Sequence, residues 1–152
     1  MKLAEALMER ADLQKRIGQM EERLRNNAQV QEGEKPAEDP KFLLAELADM
    51  ILRLEELTAQ VNLTNSTVMV EGESLTRLLS RRDAWRQHTK MLRDFLDSAS
   101  YLANRARQSE IKILSTVPVA ELQRELDRRS KALRELDAKI QAANWTQDLI
   151  EK

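Results

Sequence analysis

Cysteine is absent from the chain, and with it go disulfides, thiolate zinc sites and thiol catalysis. Glycine and proline are scarce, three of each, so the chain has few turn-formers and no glycine-rich phosphate loop. Aromatic residues make up only 3%, which leaves little of the bulk that β-sheets favour. The one histidine, His88, has Trp85 three residues before it, so the Glu-x-x-His pair of a carboxylate-bridged di-metal bundle is missing, and no histidine-based triad is expected. No apolar run approaches the roughly 18 residues of a membrane span. The opening MKLAEALMERADLQKR is broken by charge every few residues, unlike a secretory signal. A cytoplasmic protein is the expectation.

What is present is helix-forming. The 152 residues are 41% apolar and 34% charged, rich in Ala, Leu, Glu, Lys, Arg and Gln, with a net charge of −1. Leucines recur at steps of three and four, which places an apolar stripe on one face of each helix. The stripe of a first helix, about 2–29, runs Leu3, Ala6, Arg10, Leu13, Ile17, Met20, Leu24, Asn27. Gly18 interrupts that helix and would permit close approach of a neighbour. After the polar linker EGEKPAED, Asp39 and Pro40 form a cap and first turn for a second helix, about 40–63, with stripe Leu43, Leu47, Met50, Leu54, Leu57, Val61. The segment NLTNST reads as its stop, because Ser, Thr and Asn side chains compete for backbone hydrogen bonds.

Thr67–Val70 is β-branched and a Glu71-Gly72 turn follows it. Ser74 then caps a third helix, about 75–108, with stripe Leu75, Leu78, Arg82, Trp85, Thr89, Leu92, Leu96, Ala99, Ala103, Ala106. The second half of that stripe is small, so a closer neighbour is expected there. Ile111–Val117 is a second β-like run that could pair with 67–70 in a ribbon. Pro118 opens a fourth helix, about 118–143, with stripe Val119, Leu122, Leu126, Arg129, Leu133, Leu136, Ile140, Ala143. The expected fold is all-α: long antiparallel helical hairpins in one bundle or coiled-coil domain, 1–152, with a short two-stranded β ribbon at one end.

Polar residues on the stripes are the candidate specificity positions, chiefly Arg10, Arg82 and Arg129, with Trp85 as an aromatic anchor. The arginines either lie at stripe edges, stems buried and heads in water, or form buried pairs that set register and oligomer number. A buried arginine needs a carboxylate. Trp85 and Trp145 pack in a core or an interface, or hold a ligand. Charge is segregated as well. Residues 32–63 carry eight acidic residues against three basic ones, and 75–108 carry eight basic against three acidic, so −5 faces +5. Such a basic helix suits a polyanion, but matched charge in a nearly neutral chain favours pairing within the protein. Arg81, Arg86 and Arg93 are expected beside carboxylates, some from the second helix.

MKLAEALMERADLQKRIGQM, the EGEKPAEDP linker, RRDAW at 81–85, SEIK at 109–112 and ELDAKIQAANWT at 135–146 together resemble a family of small bacterial proteins of unknown function. Some members carry the name septicolysin. The resemblance spans nearly the whole chain and implies a cytolysin, yet it supplies no catalytic residues. Where the family pattern would have an acidic cap, this chain has Pro118, which still suits a helix start.

The sequence therefore predicts a non-enzymatic helical scaffold with no cofactor, no catalytic or metal-binding residue, and itself as partner in a homo-oligomer. Neither nucleic acid nor membrane is the expected partner. Replacing a mid-stripe leucine, Leu126→Ala or Leu54→Ala, should cost about 2–5 kcal/mol in denaturant melts. A change below about 0.5 kcal/mol would mean that the stripe is misplaced.

Overall fold

A computed structural model describes residues 1–105 and 111–151, with side chains at 1–100 and 111–151. Among these, four helices appear: α1 (Leu3–Asn26), α2 (Pro40–Thr67), α3 (Leu75–Arg105) and α4 (Val119–Thr146). A two-stranded ribbon, β1 (Met69–Val70) and β2 (Glu73–Ser74), stands between α2 and α3. The chain divides into two compact units, Met1–Val70 with Ala143–Lys152, and Glu71–Ala142.

In the first unit α1 and α2 form an antiparallel hairpin. Leu3, Ala6, Leu13 and Met20 of α1, and Leu43, Met50, Leu57 and Val61 of α2, are buried. Three ion pairs flank the seam: Glu9–Arg53 at 2.7 Å, Arg16–Glu46 at 3.8 Å and Arg23–Glu38 at 2.6 Å. Seven-residue steps along α1 meet falling numbers from α2 back into the linker, as an antiparallel register requires.

Polar residues close the ends of this hairpin. Asn27 is buried at the end of α1, where its Nδ2 donates to the Arg23 carbonyl and its Oδ1 accepts from the Glu38 N–H. Asp39 caps α2 by accepting from the Lys41 N–H, with Pro40 in the first turn, as expected. NLTNST does not stop α2. The helix runs on to Thr67 because Thr64 continues the buried stripe of Leu57 and Val61 and satisfies its hydroxyl locally, donating to the Gln60 carbonyl. Its Oγ1 also accepts from the Ile150 N–H at 2.9 Å. The residues after Thr146 are accordingly a docked segment rather than a loose tail. Leu3 N–H donates to the Gln147 carbonyl, Leu149 N–H to the Met1 carbonyl, and Lys2 pairs with Asp148.

The ribbon differs from expectation in its partner. Glu71 and Gly72 both have positive φ, 51° and 85°, the backbone of a two-residue hairpin turn, so β1 pairs with the next two residues. Ile111–Val117 forms no strand. Closing a two-residue turn orders far less chain than bringing together segments some forty residues apart. Lys139 on α4 meets the Glu71 carboxylate at 2.6 Å.

In the second unit Ser74 caps α3 by accepting from the Arg77 N–H. Leu75, Leu78, Thr89 and Leu96 of α3 and Leu126, Leu136 and Ile140 of α4 are buried. The expected small-residue half of α3 is half-buried at Ala99, while Ala103, Ala106 and Leu102 lie outside the described side chains. The helix limit of 108 likewise lies outside the described residues.

Gly18 makes no close approach. A Cβ placed there would meet nothing within 4 Å, so glycine only loosens the helix. Gly18→Ala should therefore stabilise the protein by about 0.5–1 kcal/mol, measured by denaturant or thermal melts. Destabilisation would mean that a neighbour does pack against that position.

Candidate functional site

Three of the four sequence-selected residues come together on the α3–α4 pair. Arg82, Trp85 and Thr89 lie on successive turns of α3, facing Asp137, Ala132 and Arg129 on α4. The antiparallel order follows from the contacts: Arg82 lies 3.6 Å from Asp137, and Trp85, Thr89, Arg129 and Ala132 line one pocket of about 130 Å³. Arg10 belongs to the other unit, is half-buried, and makes no ion pair among the described residues.

Arg82 is mostly covered, with its side chain 19% exposed. Its guanidinium lies 3.4 Å from Asp83 and 3.6 Å from Asp137, and Arg86 approaches the same Asp137 oxygen at 3.5 Å. That oxygen is buried and accepts no hydrogen bond, so it holds two cations through charge at slightly long range. Arg129 finds its carboxylate on its own helix. Glu125 Oε1 accepts from Nε at 3.0 Å and lies 2.9 Å from Nη2. Of the stripe arginines, Arg82 is mostly covered and paired across helices, whereas Arg129 keeps a more exposed head in a local pair.

Thr89 is 3% exposed and its hydroxyl has no hydrogen-bond partner. Between Trp85 and Arg129, the short side chains of Thr89 and Ala132 leave the pocket beside them unfilled. The pocket has an aromatic wall and one neutralised guanidinium, and no base is hydrogen-bonded to the only hydroxyl. Among the described residues no three His, Cys, Asp or Glu side chains stand close enough to hold a metal ion. His88 is exposed on the outer side of α3.

The charge pairing differs from expectation in its partners. Arg81 is clasped by Glu73 of β2 through two hydrogen bonds of 2.7 and 2.6 Å, and Arg86 goes to Asp137. Both partners belong to their own unit. The carboxylates of 32–63 are instead used beside α1, as in Arg16–Glu46 and Arg23–Glu38. Asp137 and Glu73 were not singled out from the sequence. The seven-residue spacing of Glu9, Arg16 and Arg23 was a legible signal for the first hairpin, but nothing comparable marks Asp137.

The family model DUF6847, described as a family of unknown function, matches residues 10–149. The chain belongs to this family. A solved structure titled as a functionally unknown conserved protein from Corynebacterium diphtheriae is 36% identical, covers 99% of each chain, and superposes with a TM-score of 0.92. No curated protein matches. The kinship with uncharacterised proteins expected from the sequence holds at that level, and the solved neighbour shares the fold described above.

In this DUF6847 chain, arginines hold several carboxylates below their ordinary range. Hydrogen bonds from Arg53 lower Glu9, those from Arg23 lower Glu38, and those from Arg81 lower Glu73, while Lys2 lowers Asp148. A lowered folded-state value means that the contribution is complete above the ordinary glutamate value of 4.5 and is lost as pH falls through the lowered values. Melting temperature should therefore be flat from neutral pH to about 5 and fall below about 4.5. Replacing Glu9 and Glu38 together by Gln should shrink that acid-side fall, measured by thermal melts across pH.

Proposed function

We propose that the protein is a non-enzymatic, self-assembling helical scaffold that acts through protein–protein contacts. One observation carries this reading: α2 is apolar on two sides, and α1 covers only one. Leu44, Ala48, Ile51 and Leu52 form an exposed stripe on the other side, extended by Ala59 and Leu63, with Leu44 55% and Leu52 67% exposed. A contiguous exposed apolar patch of this kind marks an association surface. The side-chain chemistry at Trp85, Thr89 and Arg129 offers no reaction, which supports a binding role. Arg81, Arg82 and Arg86 are already paired with carboxylates, which argues against grip on a polyanion.

The septicolysin name attached to the resembling family carries a lytic alternative. No described helix is long and apolar enough to cross a membrane. Light scattering at micromolar concentration should return a single oligomer larger than the 17.6 kDa chain. A monomer would overturn the proposal. Dye release from lipid vesicles, or salt-sensitive retention of duplex DNA, would replace it with the lytic or the nucleic-acid reading.

A further inference from the structure

The outer stripe of α2 is symmetric about Ala48. Lys41 and Glu55 lie seven residues to either side of it, Leu44 and Leu52 four, and Ala45 and Ile51 three, and all of them are exposed. With 3.6 residues to a turn, these offsets bring every one of them within about 60° of Ala48 around the helix. All belong to the first compact unit. The charges at the two ends are free, since neither Lys41 nor Glu55 makes an ion pair among the described residues. Their neighbour Arg53 is by contrast taken by Glu9 and Glu56. An apolar stripe with a cation at one end and an anion at the other, equally far from its centre, is complementary to itself reversed.

Resting on the self-assembly proposed above, we infer that the outer stripe of α2 packs antiparallel against the same stripe of a second copy of this chain, about a twofold axis at Ala48. Ala48 then meets Ala48 of the second copy, and at both ends Lys41 of one copy meets Glu55 of the other. Between the axis and each end, Leu44 and Ala45 of one copy share a layer with Ile51 and Leu52 of the other, so small side chains lie against large ones. The contact uses one patch twice and by itself closes at two chains. Charge selects this register. An in-register parallel pair sets Lys41 on Lys41 and Glu55 on Glu55. An antiparallel pair slipped by seven residues sets Glu55, or in the other sense Lys41, against Ala48 with no opposite charge. Asp49 lies about 100° around the helix from Ala48, at the rim of the contact, where water and salt screen it from its copy.

The chain has no cysteine, so engineered thiols in the full chain report the register without interference. A disulfide needs Cβ atoms about 3.5–4.5 Å apart, so a bond forms only where two positions face each other. The expected result on oxidation is a covalent dimer from Ala48→Cys alone, from Leu44→Cys mixed with Ile51→Cys, and from neither of those last two alone. Charge reversal supplies an independent reading. Lys41→Glu or Glu55→Lys should each raise the dissociation constant about tenfold, because each breaks two exposed pairs, and the double variant should restore it. A covalent dimer from Leu44→Cys alone would show another register or a parallel pair and overturn the inference. Charge reversals that the double variant does not rescue would overturn it as well. An oligomer by light scattering with no cross-link from Ala48→Cys would overturn the inference while leaving self-assembly standing. A monomer would remove both.

Discussion

Long helices of this composition do not stand alone in water. Helical propensity leaves even a good twenty-residue segment marginal, and most of the stability of a protein helix comes from packing one apolar face. In this molecule each long helix buries one leucine-rich stripe, and every other feature depends on that burial. Leu57 and Val61 on α2, and Leu3 and Met20 on α1, are almost wholly removed from water. The ion pairs beside them are half-exposed and contribute little free energy each. Their effect is on register, because a shift of one turn would separate Glu9 from Arg53 and Arg23 from Glu38 together.

The polar residues that interrupt the stripes are tolerated for different reasons. Asn27 and Thr64 are buried but fully used, one tying α1 to the linker and the other tying α2 to the residues after α4. Arg82 is tolerated because Asp137 and Asp83 stand beside it. Thr89 is the exception, a buried hydroxyl without a partner next to an unfilled pocket. An unmade hydrogen bond at a buried group costs about 1–3 kcal/mol.

The proposed function starts from what the buried stripes leave exposed. α2 has more apolar surface than α1 can cover. Any chemistry done by this chain would have to proceed without cysteine and with a single, exposed histidine. The association proposed above rests on that exposed apolar surface.

The sequence alone determined the helical class, the four helices to within a few residues at most ends, the inner stripes and the caps at Asp39 and Ser74. It could do so because these depend on spacing and on side chains within one turn. Tertiary structure decided the rest. NLTNST has a local preference to end a helix, and the burial of Thr64 beneath Ile150 overrode it. The β ribbon closed on its nearest neighbour because a two-residue turn with positive φ at Glu71 and Gly72 costs least chain entropy. Gly18 proved to face open space, which no spacing rule reports. Arg82 was visible as a stripe arginine that would need a carboxylate, but Asp137 lies fifty-five residues on, and only the antiparallel register of α3 and α4 sets the two side by side.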